Sequence, residues 1–348
     1  MSLKKRIEAG LAGAYQGLAN GFKDINKYIF GVQRKCYTLL GGASGTYKTT
    51  LLDFIILNAL VDAEKKNIPI DVFYYSFEID EMTKKCNWLS QLAYNTYGII
   101  IPPEKIKGLG DNRLTSREQE IIEELIPEVD KLFSKIKFYF EPINPTGIYH
   151  EVFKHCSSNG ELLYEPYKDE TGAEKSRIVG YVPKDDRYTI VAIDHLYLLR
   201  NERNFTTKQN MDKMSEYLVA LRNIFGISPF VIQQFNQGMS ATDRQKLKGV
   251  DLSPAQTDFK DTTNPYQDCD VALGTMNAFK LDLKTCLGYN LEFFRDRFIM
   301  LKIIKNRLSR DNVAKGIYCH PESGRFEELL KPEEFKANPK LYEKYLRN

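Results

Sequence analysis

An octapeptide rich in small residues, GASGTYKT, occupies residues 42–49 between two apolar stretches of the chain. The stretch YTLLGG leads into it and overlaps a predicted first strand, Lys35–Leu40, and TTLLDFIILNAL follows with the composition of a helix. A glycine-rich loop between a strand and a helix, closed by a lysine and a hydroxyl residue, matches the phosphate-binding pattern GxxxxGK[ST] at three of its four fixed positions. This match predicts a strand, a loop and a helix in immediate succession, and a site for nucleotide phosphates between them.

We expect the residues of this loop to bind the nucleotide. They are Gly42, Ala43, Ser44, Gly45, Thr46, Tyr47, Lys48, Thr49 and Thr50. Lys48 supplies positive charge for the phosphates, and Thr49 supplies a hydroxyl ligand for Mg²⁺. Tyr47 departs from the pattern, which has a glycine there, and glycine tolerates dihedral angles that tyrosine does not.

Two carboxylates follow strand-like segments and are candidates for the rest of the site. Asp194 ends the apolar run TIVAID, as does an aspartate that holds Mg²⁺ beside a phosphate-binding loop. Glu78 follows the β-prone run DVFYYSF, where a carboxylate can orient or deprotonate an attacking water. Taken alone, either residue would equally suit the cap of a turn or helix.

Strand-like and helix-like segments alternate along most of the chain, which is typical of an α/β fold with a mostly parallel sheet flanked by helices. We expect residues 1–25 to form a helical arm, residues 26–330 one domain, and residues 331–348 a tail. The polar turn DETGAEK predicts a surface hairpin inserted at 158–187. Residues 237–265 are polar without periodicity, as in functional or disordered loops.

The composition indicates a globular protein of the cytoplasm. Of 348 residues, 43% are hydrophobic and 27% charged, which is enough to build a buried core. The formal net charge of +3 is too small to argue for nucleic acid by itself. The six cysteines form no CxxC pair, which favours free thiols in a reducing compartment. No apolar run reaches the roughly 20 residues that span a bilayer, so no membrane association is expected.

Further motifs resemble the RecA-like motor domain of the DnaB replicative helicases over most of the chain. YYSFEIDEMTKKCNWLSQLA is similar to the family's SLEM motif, which assigns the catalytic glutamate to Glu78. IVAIDHLYLL resembles the strand that ends in the Mg²⁺-binding aspartate, here Asp194. VIQQFNQ resembles the SQLNR motif, and the resemblance implies that Gln234 senses the γ-phosphate and couples hydrolysis to movement.

Two more motifs concern DNA and the neighbouring subunit. TDFKDTTNPYQDCDVAL resembles a DNA-binding loop of the family, which implies DNA contacts for Lys260, Asp261 and Thr263. Arg244, Lys246 and Lys248 lie in the basic loop before it; they are expected to follow single-strand phosphates, or else to be ordinary solvated residues. LKIIKNRLSRD resembles the KNR hairpin, which implies that Lys305 and Arg307 form a basic finger towards the next subunit's nucleotide.

The resemblance implies an ATP- and Mg²⁺-dependent DNA helicase that moves on single-stranded DNA as a homo-oligomeric ring, a hexamer. A primase or a helicase loader is a further expected partner. The chain departs from the family at Tyr47, at Gln237 in place of arginine, and at Thr263 in place of glycine. We also expect no N-terminal primase-interaction domain of the kind that bacterial members carry, which suggests a phage or mobile-element protein acting in the host cytoplasm.

Three other interpretations stay open at this point. A RadA- or KaiC-like ATPase with the same fold would serve recombination or signalling. A DNA-packaging ATPase would normally carry a nuclease domain in addition. An assembly factor would use ATP only to control its oligomeric state.

Overall fold

The computed structural model describes residues 2–11, 13, 15–236, 252–259 and 262–346. In these residues the strands are β1 (Thr38–Gly42), β2 (Ile70–Ser76), β3 (Ile136–Tyr139), β4 (Gly160–Lys168), β5 (Glu174–Pro183), β6 (Tyr188–Asp194), β7 (Ser228–Gln234), β8 (Val271–Met276), β9 (Thr285–Cys286), β10 (Tyr289–Asn290), β11 (Phe298–Asn306), β12 (Val313–His320) and β13 (Arg325–Glu328). The helices are α1 (Leu3–Leu11), α2 (Asn26–Ile29), α3 (Lys48–Lys65), α4 (Glu81–Tyr97), α5 (Pro103–Ile106), α6 (Ser116–Phe133), α7 (Pro145–Ser158), α8 (Thr207–Phe225), α9 (Asn264–Asp268), α10 (Pro332–Ala337) and α11 (Glu343–Leu346).

The central sheet has nine strands in the order β13-β12-β11-β8-β1-β7-β6-β2-β3. The six strands from β8 to β3 are parallel, and β11, β12 and β13 continue the sheet in antiparallel fashion. The predicted α/β class with a mostly parallel sheet is therefore confirmed. The strand β1 lies inside the parallel part, between β7 and β8, and the segments that follow each parallel strand meet at one edge.

Helices cover both faces of this sheet, as the side-chain alternation along β2 illustrates. Val72 and Tyr74 pack into the core beneath α3, α4 and α6, whereas Phe73 and Tyr75 pack into the core beneath α7 and α8. A sheet that is buried on both faces needs apolar residues at successive positions rather than at alternate ones. This requirement explains the unbroken apolar runs in the sequence.

The segment that follows α1 packs on the domain. Leu18, Phe22 and Ile25 are buried in the main core, so packing begins before residue 26, whereas α1 buries no residue. The carboxylate of Glu328 on β13 accepts hydrogen bonds of 2.8 Å from the backbone N–H groups of Lys23, Asp24 and Ile25.

The C-terminal segment closes a smaller third core. Phe335 on α10 packs there with Phe294 and with Tyr342, which stacks on Phe293.

The strands β4 and β5 form a separate antiparallel ladder within residues 158–187. Among the described residues, no helix combines the length and apolar composition that crossing a bilayer needs.

Two local predictions from the sequence were wrong. The first strand was expected to begin at Lys35 but begins at Thr38, because Lys35 has φ = 55°, a left-handed conformation that an extended strand excludes. The edge strand β13 was not predicted at all. Its four residues, RFEE, alternate too briefly to give a strand signal.

Candidate nucleotide-binding and catalytic site

The glycine-rich loop joins β1 to α3 at the carboxyl edge of the parallel sheet. The strand ends at Gly42, and α3 begins at Lys48. The first N–H groups of a helix lack partners within the helix, and the helix dipole places positive charge at that end. The start of α3 therefore presents an anion-binding surface to the space beyond the sheet edge.

Hydrogen bonds to β8 and to the segment after it hold the loop in shape. The Thr46 hydroxyl lies 2.9 Å from the Thr275 hydroxyl and donates to the Ala43 carbonyl at 2.8 Å. The ammonium group of Lys280 donates to the Gly45 carbonyl at 3.1 Å. A Cβ atom on Gly42 would overlap both threonine hydroxyls, so only glycine fits where β1 enters the loop.

Tyr47 adopts the backbone conformation that glycine readily supplies at this place in the loop. Its dihedral angles are φ = 60° and ψ = 31°, in the left-handed region. The ring is half-buried against the core, and burial raises the pKa of its hydroxyl to about 12. Tyrosine in place of glycine at position 47 therefore does not change the backbone path of the loop. The left-handed conformation of a non-glycine residue costs about 1–2 kcal/mol.

The outer face of the loop lines a cleft of about 250 Å³ that also contains two of the predicted catalytic residues, Glu78 and Gln234. The lining residues are Ser44, Gly45, Tyr47, Lys48, Thr49, Thr50, Glu78, Asp194, His195, Ile232 and Gln234. Glu78 and Asp194 share this edge because β2 and β6 are adjacent and parallel, with Ser76 paired to Asp194. Gly42, Ala43 and Thr46 do not line the cleft; they support the loop from behind.

Lys48 and Asp194 carry opposite charges and are both largely removed from solvent. The Lys48 ammonium donates to the Ala43 carbonyl at 2.7 Å, and burial lowers its pKa, an effect that Asp194 and Glu78 oppose. Burial raises the pKa of Asp194 from 3.8 to about 6, although Lys84 and the Thr49 hydroxyl act in the other direction. Within the described residues, neither carboxylate oxygen of Asp194 makes a well-formed hydrogen bond.

These groups fit a bound Mg²⁺ ion. Mg²⁺ prefers hard oxygen ligands and is usually held by one or two protein oxygens together with phosphates and water. Thr49 offers a hydroxyl and Asp194 a carboxylate whose buried oxygens lack good partners among the described residues. A cation beside Asp194 would compensate the buried charge that raises the pKa of this carboxyl group.

Glu78 has a neighbour that the sequence did not single out. His195 Nε2 lies 3.4 Å from Glu78 Oε1, and half of the Glu78 side chain is exposed in the cleft. His195 follows Asp194 directly, so its place after a strand end was the one available signal. The contact can orient the carboxylate of Glu78 towards the cleft.

Two successive glutamines at the end of β7 face different regions. Gln234 lines the cleft, as expected for a residue that senses a γ-phosphate. The buried side chain of Gln233 donates to the backbone carbonyl of Thr262 at 2.9 Å. One strand end therefore contacts both the cleft and the segment in which DNA contacts were predicted.

Lys305 and Arg307 lie away from this cleft, near the start of β8. Lys305 donates to the carbonyls of Tyr266 and Gln267, at 2.7 and 2.8 Å. The backbone N–H of Arg307 donates to the carbonyl of Asp270. Thr275, beside the phosphate-binding loop, lies five residues further along the strand, or roughly 16 Å. These two residues are therefore not brought together with the catalytic residues of their own chain.

Most of the predicted DNA-binding residues, namely Arg244, Lys246, Lys248, Lys260 and Asp261, lie outside the described residues, as does Gln237. Thr263 is described and precedes α9. It lines a polar hollow of about 520 Å³ together with Lys208, Asp212 and Asn236. Because Asn236 follows β7 closely, this hollow opens at the same edge of the sheet as the cleft.

Comparisons with known proteins agree with this architecture. No family model and no curated protein matches the sequence. Among solved structures, the ATPase domain of one helicase superposes with a TM-score of 0.67 at 14% identity, covering 94% of this chain and 99% of the other. A DnaB-like replicative helicase, solved in a study of its interactions with primase, gives a TM-score of 0.68 at 15% identity, covering 94% of this chain and 66% of the other. The chain thus has the RecA-like fold of the ATPase domains of DnaB-like replicative helicases.

Proposed function

We propose that this protein is an ATP-hydrolysing DNA helicase motor that moves along single-stranded DNA and works as a ring of identical subunits. One observation carries the proposal: Lys48, Thr49, Glu78, Asp194 and Gln234 meet around one cleft at the carboxyl edge of the sheet. A phosphate loop, a metal-binding carboxylate and a candidate base are the parts that phosphoryl transfer requires.

Binding of ATP relies on the start of α3. The free N–H groups of its first turn and the Lys48 ammonium receive the phosphates, and Lys48 exchanges its contact with the Ala43 carbonyl for phosphate oxygens. Thr49 and Asp194 are the residues that hold Mg²⁺. When bound, the ion neutralises charge on the phosphate oxygens.

Hydrolysis relies on Glu78. Its carboxylate accepts a proton from the water that attacks the γ-phosphorus, while the bond to the bridging oxygen breaks and leaves ADP and phosphate. His195, 3.4 Å from Glu78, orients this carboxylate. Gln234 lines the same cleft and is suited to contact the γ-phosphate.

Assembly into a ring accounts for Lys305 and Arg307. Both are remote from the cleft of their own chain, so positive charge from these residues reaches a nucleotide only across a subunit boundary. An arginine supplied in this way stabilises charge in the transition state. We infer a homo-oligomer, and a hexamer is the state that the family resemblance implies.

Contact with DNA is assigned to the segments after β7. The charged residues of 244–263 would follow phosphates without reading sequence. The Gln233 contact to the Thr262 carbonyl gives this region a direct link to the strand that ends at Gln234. A primase or a helicase loader is the further partner that we expect.

The test is the rate of ATP hydrolysis with and without single-stranded DNA, measured together with the mass of the assembly in solution. We expect turnover that DNA stimulates, in a particle of several subunits, and none from Lys48→Ala. Unwinding of a forked duplex then separates a helicase from a recombination ATPase. A monomer without turnover would instead favour an assembly factor.

A further inference from the structure

A charged cluster lies buried beneath the catalytic cleft. The Lys84 side chain is fully buried, and its ammonium lies 2.9 and 3.1 Å from the two carboxylate oxygens of Asp53. It also lies 3.0 Å from the Tyr74 hydroxyl, which donates to Asp53 at 2.7 Å. Each of the three polar groups therefore contacts the other two.

These residues come from the phosphate-binding helix and from the two elements that flank Glu78. Asp53 lies on α3, four residues and thus about one turn after Thr49. Tyr74 lies on β2, the strand that leads to Glu78. Lys84 lies on α4, the helix that begins just after Glu78. The cluster thus connects the phosphate-binding helix to both sides of the turn that presents the candidate base.

The turn between β2 and α4 is short, and hydrogen bonds stabilise both of its ends. The Ser76 hydroxyl donates to the Ile79 carbonyl at 2.7 Å, and Asp80 caps α4 by accepting from the Thr83 N–H at 3.0 Å. With Tyr74 and Lys84 both held to Asp53, the segments on either side of Glu78 are connected to the helix that carries Thr49.

Stability alone does not account for such a cluster. Burying two opposite charges carries a large desolvation cost, and apolar side chains of similar volume commonly give an equal or greater free energy of unfolding. Lys85, the next residue on α4, makes its ion pairs with Glu81 and Asp130 near the surface instead. The burial of Lys84 is therefore better explained by a role in fixing the distance and orientation between the elements that the cluster connects.

We propose that Asp53, Tyr74 and Lys84 form a positioning unit that holds Glu78 at a set distance from the phosphate-binding helix, a role that rests on the proposed ATPase function. None of the three lines the cleft itself. Hydrogen bonds within this cluster restrain both the distances and the relative orientations of α3, β2 and α4. Apolar side chains packed at the same place would restrain these orientations less strictly, because apolar contacts are not directional. Displacing a catalytic group by about 1 Å can lower turnover by roughly 100-fold.

The experiment replaces the pair as a whole, because removing one partner would leave an unpaired buried charge and could prevent folding. Asp53→Leu/Lys84→Met is compared with the wild-type protein and with Lys85→Met, a matched change at the next residue of α4. Melting temperature, affinity for Mg²⁺–ADP, KM and kcat are measured for each. Tyr74→Phe is the second variant, since it removes one hydroxyl and keeps the ion pair.

For the double variant we expect a melting temperature within about 5 °C of the wild type. Its affinity for Mg²⁺–ADP and its KM should stay within about 3-fold, while kcat falls roughly 10- to 100-fold. Tyr74→Phe should lower kcat by roughly 2- to 10-fold, the value of one hydrogen bond. Lys85→Met should leave kcat unchanged.

A folded double variant with wild-type kcat would overturn the inference. So would an equal loss of nucleotide affinity and kcat, because that pattern indicates damage to the binding loop. If the double variant does not fold, an unchanged kcat in Tyr74→Phe overturns it. A wild-type protein without ATPase activity would instead overturn the proposed function, and the inference with it.

Discussion

Arg307 forms an ion pair with Asp270 of its own chain, with 3.4 Å between Nη1 and Oδ1. Half of the Arg307 side chain remains exposed, and the pair lies where β8 begins rather than where the phosphate loop lies. Asp270 also has a closer ion pair with Arg222, at 2.7 Å, so the half-exposed guanidinium of Arg307 can exchange its partner without leaving this carboxylate unpaired. A phosphate group on a neighbouring subunit is the partner that the proposed ring would offer.

Arg307→Ala should therefore abolish ATP hydrolysis while nucleotide affinity changes less than about 3-fold, because the guanidinium acts in the transition state of another subunit's site. Arg310→Ala, an exposed arginine in the same turn, is the control. Rings that mix Arg307→Ala with Lys48→Ala subunits should regain part of the activity, because some boundaries then combine two intact halves. If Arg307→Ala alone keeps wild-type turnover, the assignment across subunits is wrong.

Tyr47 allows a test of the loop's backbone conformation. Tyr47→Gly keeps the left-handed angles at no steric cost and should retain nucleotide affinity and kcat within about 3-fold. Tyr47→Val should lose at least about 10-fold in affinity, since a β-branched residue is a marked outlier at φ = 60° and would force the loop to shift. Equal affinities for the two variants, measured by titration with Mg²⁺–ADP, would show that these angles do not matter.

Asp194→Asn should make the nucleotide-free protein more stable in a chelating buffer, because it removes a buried charge. The folded-state pKa of about 6 exceeds the ordinary 3.8, so ionisation destabilises the folded state as the pH rises between these values. The gain should be at most about 3 kcal/mol above pH 6 and should disappear near pH 4.

Chemical unfolding at several pH values measures this effect, and Asp111→Asn, at an exposed loop position, is the control. A gain in Asp194→Asn that does not depend on pH would contradict the explanation. The same variant should lose Mg²⁺-dependent ATP hydrolysis.

Lys260→Ala should weaken binding of single-stranded DNA without changing ATP hydrolysis in the absence of DNA. Loss of one phosphate contact should lower the slope of log affinity against log salt by about 0.7. Lys65→Ala, at the far end of α3 from the loop, is the control. Unchanged affinity and slope for Lys260→Ala would move the DNA contact to other residues.

The composition of the cleft was predictable because it follows from topology. Glu78, Asp194 and Gln234 each come at or just after the end of a strand-like run, and in a parallel sheet these ends meet at one edge. Their convergence on Lys48 needs no knowledge of side-chain packing. The backbone angles of Tyr47 were not predictable, because the pattern alone does not show whether a tyrosine adopts them.

The contacts among Asp53, Tyr74 and Lys84 depend on which faces α3 and α4 turn towards each other. The sequence gives only indirect information about these faces. Lys84 and Lys85 are adjacent lysines, yet the first is buried and the second is not. A signal did exist, because Lys84 precedes the buried Trp88 by four residues and so shares its face of α4. Its partner Asp53 is 31 residues away, and no local pattern links the two.

The place of β1 in the sheet has a consequence for synthesis of the chain. This strand is synthesised long before its two neighbours, β7 and β8, which begin at Ser228 and Val271. At about 5–20 residues per second, the strand waits roughly 10–50 s for its ladder partners. The phosphate loop can therefore take the shape described above only after β7 and β8 have been synthesised, so a nucleotide site of this shape forms no earlier than these strands.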